Sequence, residues 1–377
     1  MYAFCHSIFT NISSGTLNVK KQGISACKAA AVYIGTVVGA GFATGQEILQ
    51  FFERFGIYGL SGIIIATLLF IVFGYLIMDL GNMLHARSHM EIIRYAGGRF
   101  LGDIIDLIIT VFLFGTFSVM IAGNGALFEQ QLKLPATAGN IMMAVITALT
   151  VLTGINGVIN SISFVVPFLL SVVLAISVIS AVQNPVNPGA VSPVPVTNGL
   201  FNNWFVASVL YVSYNTVTSV AILGPLGNEA KDRKSILYGA ILGGGGLGFG
   251  AAMIYLALSG HMAYAAKLEV PMLYIAGNIS PILQAIYSIV LVAEIYTTAV
   301  SSLFGFTTRI TGMFRKPVKG RYVVACSTAV ALLSSYMGFS NLVKYLYPLI
   351  GYCGIIILAS LLVNSVRVMK RKHAGER

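Results

Sequence analysis

The feature that most constrains this chain is a series of apolar segments, each about 20 residues long and almost free of charge, recurring from residue 28 to residue 366. At 1.5 Å per residue, one such helical segment crosses a hydrocarbon core of about 30 Å. Lipid offers the backbone no hydrogen bonds, so uncharged crossings of this length must be helices. Composition agrees: 57% of the residues are hydrophobic and 9% charged, whereas a soluble domain is about a quarter charged. Glycine, proline and charge divide the chain into segments at 28–55, 57–84, 104–130, 136–153, 157–182, 200–227, 234–262, 281–308, 321–338 and 341–366. The reading is an all-α polytopic membrane protein with ten transmembrane helices.

Lysine and arginine give an independent check, because they accumulate in cytoplasmic loops. With the N-terminus inside, the inner segments hold Lys20, Lys21 and Lys28, then Arg87, Arg94 and Arg99, then Lys231, Arg233 and Lys234. The last two inner segments hold Arg309, Arg315, Lys316, Lys319 and Arg321, then Arg367, Lys370, Arg371, Lys372 and Arg377. Only Arg54, Lys133, Lys267 and Lys344 remain outside, nineteen basic residues against four. Losing one helix from the count would invert every later loop and destroy this bias. Both termini are therefore expected in the cytoplasm, in the cell membrane. The net charge of +11 belongs to these short clusters, which lack the interleaved aromatics of a nucleic-acid surface, so no nucleic-acid partner is expected.

Residues 1–22 are polar, without the basic and then apolar pattern of a signal peptide, and read as a flexible cytoplasmic tail. The longest linker, 183–199, carries Pro185, Pro188, Pro193 and Pro195 and no charge, which places it outside the membrane and out of helix. It separates five spans at 23–182 from five at 200–368, and a basic tail follows at 369–377. An odd number of spans makes the second half enter the membrane in the opposite sense to the first, the arithmetic of an inverted repeat.

Each half opens with a helix that the residues make hard to keep regular. The first contains Gly35, Gly39, Gly41 and Gly45, and each mid-helix glycine costs up to about 1 kcal/mol of propensity. The sixth carries Ser213-Tyr214-Asn215-Thr216 and then Gly224-Pro225. Corresponding interruptions in two halves are the sequence pointer to a transporter site at the membrane midplane. Glycines also allow close helix packing, but here the run continues into Phe42-Ala43-Thr44-Gly45-Gln46-Glu47, with an amide and a carboxylate just past the break.

The string VGAGFATGQE, Val38 to Glu47, resembles the first-helix signature of the YkvI-like membrane proteins, regarded as amino acid permeases of the amino acid–polyamine–organocation superfamily. The resemblance implies a LeuT fold of five plus five inverted helices, with discontinuous first and sixth helices. Read from the residues, the amides of Gly39, Ala40 and Gly41 form a cradle for a substrate carboxylate, with Phe42 and, from the sixth helix, Tyr211, Ser213, Tyr214 and Asn215 as further substrate contacts, and the unwound segment that the resemblance implies is Val38 to Gly41. The resemblance also implies a Na+ site between the carbonyls of Gly35 and Val38 and hydroxyls of the eighth helix. Two hydroxyl pairs compete for that role, Thr297 with Thr298 and Ser301 with Ser302. Phe42 stands where the neurotransmitter-symporter branch has an asparagine for a second sodium, so one sodium is expected at most.

Carboxylates inside a membrane are functional candidates by default, given their insertion cost. Glu294 lies mid-span, one turn before Thr297 and Thr298. It is open to three roles: proton carrier, partner of a substrate amine, or buried neutral acid. Glu47 is read as lining the vestibule or pairing with Arg54 or Lys344. Asp79 is read as a structural partner of Arg87. Phe117 is added to the aromatic lining. Residues 243–248 satisfy GxGxxG inside an apolar helix with no preceding strand, so close packing is expected rather than a dinucleotide.

These readings converge on an ion-coupled secondary transporter of an amino acid or similar small carboxylate-bearing solute, driven by Na+ or H+, with no other cofactor. The alternative is an amino-acid-sensing membrane receptor on the same fold. An enzyme is disfavoured because no nucleophile is paired with a base. The charge bias predicts that, in a cysteine-free background, a cysteine replacing Lys267 is labelled in intact cells by a membrane-impermeant thiol reagent, and one replacing Lys370 only after lysis.

Overall fold

The computed structural model describes residues 23–86, 89–153, 165–185, 200–313 and 319–375. The expected tail at 1–22, most of the proline-rich linker, Arg87, Arg315 and Lys316 lie outside these residues.

Among the described residues the chain is helical, with one isolated bridge between Ile24 and Ala230. Six helices are by themselves long and apolar enough to cross a bilayer: Tyr58–Met83, Gly102–Leu132, Trp204–Asn228, Arg233–Ser259, Pro281–Gly312 and Phe339–Asn364. Ala26–Val37, Ala136–Leu152 and Phe168–Gln183 are shorter and apolar, and Gly320–Ser335 completes a set of ten spans. The first span is the exception in form. It is built from Ala26–Val37, Ala40–Ala43 and Gln46–Phe51, with breaks between them. The tenth helix continues through the basic segment to Gly375.

Packing makes the repeat visible where residue-by-residue similarity does not. The first span packs on the sixth and seventh, and the second likewise on the sixth and seventh. The third packs on the fourth, eighth and ninth, and the fourth likewise on the eighth and ninth. The fifth touches the first, seventh and eighth, and the tenth touches the sixth, second and third. The eighth packs on the ninth as the third does on the fourth, and exchanging every span with the one five places later maps this set of neighbours onto itself. The two halves are thus one arrangement used twice.

Glycine sets the closest approaches. A Cβ at Gly81 would strike the backbone carbonyl of Gly224, and one at Gly227 the carbonyl of Met78, so the second and sixth helices meet backbone to backbone. On the seventh helix Gly243 lies against Tyr33, Gly244 against Ile71 and Gly248 against Thr67. Residues 243–248 therefore serve helix packing, as the sequence led us to expect.

The end of the bundle that carries the N-terminal segment is held by charge and backbone contacts. Ile24 N–H donates to the Glu229 carbonyl (2.8 Å), and Lys231 N–H to the Ile24 carbonyl (3.1 Å). Asp232 caps the seventh helix by accepting from the Ser235 amide (2.7 Å), and that bond holds its carboxyl below the usual range. Asp79 pairs with Arg233 (2.9 Å), which corrects the expected pairing with Arg87. Asp106 of the third span pairs with Arg309 of the eighth. This is the basic end. At the opposite end, Met262–Ala265 and Pro271–Ile279 form a two-helix cap between the seventh and eighth spans.

The sixth helix departs from expectation. It runs unbroken from Trp204 to Asn228, so no interruption occurs at Ser213–Thr216. The polar side chains there turn back onto the helix instead of freeing its backbone. Asn215 Nδ2 donates to the Tyr211 carbonyl (3.0 Å), Thr216 to Val212 (2.7 Å) and Thr218 to Asn215 (2.8 Å). The one forced defect is Pro225, which supplies no amide to the Ala221 carbonyl.

Gly81→Ala is expected to lower thermal stability by several degrees, since only backbone movement can relieve the clash. Gly245→Ala, where a Cβ meets nothing within 4 Å, is expected to be neutral or stabilising. Thermal unfolding of the purified variants checks both.

Candidate functional site

The first span breaks first at Val38 and Gly39, whose backbones are extended (φ −73°, ψ 115° and φ −130°, ψ −172°). The helix resumes at Ala40. Its first backbone bond runs from the Ala43 amide to the Gly39 carbonyl (3.0 Å), so the amides of Ala40, Gly41 and Phe42 precede the first intrahelical donor. The unwinding is therefore shorter than the expected stretch Val38 to Gly41. A second joint follows at Gly45, in the left-handed region at φ 83°, where glycine avoids the Cβ penalty. Two bonds fix the piece between the joints: Tyr287 donates to the Ala43 carbonyl (2.6 Å) and the Met272 amide to the Thr44 carbonyl (3.1 Å).

Two of the first-span glycines are required by the structure, for different reasons, and a third is not. Gly45 is conformational. Gly41 gives room, because a Cβ there would occupy the position of Glu47 Oε1. Gly39 has an extended φ open to any residue, and a Cβ would meet nothing within 4 Å. Neither strain nor packing asks for glycine at 39; a side chain there would project into open space.

That space is a cavity of about 350 Å³. The first span lines it continuously from Gly35 to Gly41 and again at Glu47. The third span contributes Phe112, Leu113, Thr116 and Met120, and the sixth Tyr214, Asn215, Thr218, Ala221 and Ile222. Glu294, Thr297, Thr298, Ser301 and Ser302 come from the eighth and Tyr347 from the tenth. Each stripe repeats at i, i+3 or i+4, as one face of a helix must. Glu47 and Tyr347 stand at the wall nearest the cap, while Ala221, Ile222 and Ser302 lie toward the basic end of their helices. The cavity therefore extends from mid-span toward the basic end.

Its opposite end is closed. Gln46 Nε2 donates to the Leu268 carbonyl (2.7 Å) and to Ser340 Oγ (2.9 Å), and Gln130 exchanges two bonds with the Val270 backbone. Beneath this cap lies an aromatic layer in which Tyr214 meets Tyr347 (4.8 Å) and Phe51 (5.6 Å) with tilted rings and Tyr211 (5.6 Å) edge to face.

Both candidate carboxylates reach the cavity wall. Glu47 is 4% exposed and Glu294 3%, and the Oε2 atom of each has no hydrogen-bond partner. Glu294 Oε1 accepts from Thr298 (3.3 Å). Thr297 donates to the Glu294 carbonyl (3.0 Å) and Ser301 to the Thr298 carbonyl (3.0 Å). Glu47 is not paired with Arg54, which donates to the Phe201 carbonyl (2.8 Å) and stacks on the Phe201 ring at 4.1 Å.

The cavity thus gathers Gly39, Ala40, Gly41, Tyr214, Asn215, Gly35, Val38, Thr297, Thr298, Ser301, Ser302, Glu47 and Glu294. Four expected residues lie elsewhere. Ser213 is rotated about 100° from Tyr214 around the helix and donates to the Gly351 carbonyl of the tenth span (2.6 Å). Tyr211 sits one turn nearer the cap, against Phe52 and Phe70. Phe42 packs toward Gly250 of the seventh span, and Phe117 is fully buried off the wall. Sequence reasoning missed Phe112, Thr116, Met120 and Tyr347. Their spacing is a helical stripe, but apolar and aromatic stripes occur on every buried helix face. It also missed buried Glu53, which accepts from Ser259 (2.8 Å).

A broken first helix, a midplane cavity beside it and a fivefold-shifted repeat of ten spans define a membrane protein of the LeuT fold. Solved structures agree on the fold. MhsT in complex with L-phenylalanine superposes with a TM-score of 0.62 at 16% identity, covering 92% of this chain and 93% of that one. The inward-facing conformation of Mhp1 gives 0.58 at 14%, covering 91% and 77%, and a Na+-coupled sialic acid symporter 0.57 at 13%, covering 92% and 82%. The sequence is 31% identical over 338 residues to the membrane protein YkvI of Bacillus subtilis (strain 168), spanning 90% of this chain and 95% of that protein. It is 28% identical over 337 residues to YyaD of the same organism, covering 88% and 95%. No protein-family model matches the chain. This protein belongs to the YkvI family of membrane proteins.

Gly39→Val is expected to leave the unfolding temperature unchanged while abolishing ligand binding, because it fills empty space. Gly41→Val is expected to lower stability, because it displaces Glu47. Thermal unfolding with and without ligand separates the two effects.

Proposed function

We propose that this protein is an ion-coupled secondary transporter that moves an amino acid or similar small carboxylate-bearing solute by alternating access. The observation that carries the reading is the cavity beside a helix break, sealed at the cap and extending toward the other end of the bundle. A site reached from one end at a time is what alternating access requires. The amides of Ala40 and Gly41, which line the cavity ahead of the first intrahelical donor, suit a solute carboxylate. The similarity to solved structures that include a Na+-coupled symporter supports the class. With the basic end cytoplasmic, the cavity faces inward in the plasma membrane.

The coupling ion is assigned to Na+, held by the carbonyls of Gly35 and Val38 and the hydroxyls of Thr297 and Thr298. The bond between Tyr287 and the Ala43 carbonyl supports this choice between the two hydroxyl pairs, because it sets the register of two antiparallel spans. About two turns along the eighth helix from Tyr287 lead to Glu294, a rise of roughly 10 Å. The short helix plus the extended pair Val38-Gly39 covers a similar distance along the first span. Glu294 is thereby level with Val38, and Thr297 and Thr298, one turn further, with Gly35. Ser301 and Ser302 lie beyond.

In proteoliposomes the expected result is solute counterflow, stimulated by an inward Na+ gradient. Thr297→Ala and Thr298→Ala should each raise the half-saturating Na+ concentration about tenfold, the loss of one hydrogen-bonding oxygen to a charge. Uptake driven by a pH gradient alone and lost in Glu294→Gln would move the coupling to the proton. Solute binding without counterflow would sink the transporter reading in favour of a receptor.

A further inference from the structure

The cavity wall carries two carboxylates and, among the described residues, no lysine, arginine or histidine. Glu47 is the more telling of the two. It is almost wholly buried, its Oε2 has no partner, and Gly41 gives up a side chain to admit its Oε1. Its neighbouring donors are the neutral Tyr211 and Tyr214 hydroxyls, and among the described residues no cation pairs with it, as a buried carboxylate with a structural task would be expected to show. The nearby Arg54 is engaged elsewhere, on the Phe201 carbonyl and ring.

The surroundings of Glu47 favour a positive charge. Tyr214 and Tyr347 lie at 4.8 Å between centroids, and Phe112 joins them at 6.5 and 6.1 Å. All three rings line the cavity, and both tyrosines are within electrostatic range of Glu47. Aromatic faces attract cations, most strongly where water is excluded. The Tyr214 hydroxyl is buried beside the Glu47 carboxylate, and its oxygen lone pairs remain able to accept from an N–H donor.

We propose that the solute carries a protonated amine and that Glu47, boxed by Phe112, Tyr214 and Tyr347, is its counter-ion. This names the substrate class of the transport site proposed above and rests on that reading only in taking the cavity as the solute's site. In an α-amino acid the two charged groups are adjacent, so the carboxylate can face the Ala40 and Gly41 amides while the ammonium faces Glu47. The helix that starts at Ala40 has only four residues, so its few aligned peptides carry less than the half charge of a full helix, whereas Glu47 supplies a whole one. The amine therefore contributes more to binding than the carboxylate, and a solute stripped of its amine meets two like charges.

The test is binding to the purified full-length protein, by titration calorimetry and thermal shift, of two sets of compounds sharing a side chain. One set is L-leucine, isoamylamine and isocaproate; the other is L-phenylalanine, phenethylamine and hydrocinnamate. In at least one set the amino acid and the amine should bind, and the acid about tenfold or more weakly. Glu47→Gln should cost about tenfold or more in amine affinity without lowering the unfolding temperature. Tyr347→Phe should retain amine binding and Tyr347→Leu lose it, a contrast that follows the ring rather than the fold. The proposal is overturned if the acids bind as well as the amino acids, if Glu47→Gln leaves amine affinity unchanged, or if neither amine binds. Amine binding without counterflow would keep this inference and remove transport. Counterflow of the deaminated acids would do the reverse.

Discussion

Everything in this structure depends on how a backbone survives without water. In a bilayer each peptide group must find its partner inside the protein, and nine of the ten described spans do so by remaining helical. The first span does not. Its break at Val38 and Gly39 leaves amides and carbonyls beyond the helix ladder, in the middle of the bundle. Such a break is tolerable only where protein or a polar cavity surrounds it. The sixth and seventh helices supply the protein, the seventh through Gly239, Gly243 and Gly246, which lie against Ala29, Tyr33 and Ile34 of the first span. The polar stripes of the sixth and eighth helices supply the cavity.

Much of this was legible in the residues. The ten spans followed from hydropathy, and the nineteen-to-four charge bias fixed their parity. The first-helix glycines marked the break, and Glu294 with its hydroxyl ladder marked the facing helix. What failed to transfer was side-chain direction. Ser213 and Tyr214 are adjacent in sequence, yet one bonds the tenth helix and the other faces the cavity. In a helix buried on all sides, hydropathy carries no phase. The expected sixth-helix interruption failed for a related reason. Polar side chains satisfied their own helix, whereas at Val38 and Gly39 there is no hydroxyl or amide to do so.

Tyr347 and Phe112 were hidden because aromatic residues fill cores as readily as they line sites. Only their convergence on Glu47 distinguishes them, and convergence is a property of tertiary structure. The same holds for the Asp79 partner. Arg87 and Arg233 are equally plausible from charge alone, and helix packing chose Arg233.

The first span has two joints, at Val38-Gly39 and at Gly45, with a short rigid piece between them. A rod with one hinge transmits a tilt at one end as a displacement at the other. A rod with two hinges can absorb it. The piece from Ala40 to Thr44 is pinned by Tyr287 on one side and Met272 on the other, so the N-terminal half can swing while Gln46 keeps its hold on the cap. The glycine at 45 thus lets the cap-facing piece take its own direction, held there by Gln46, instead of continuing the line of the pinned piece, which a single break at Val38-Gly39 could not do.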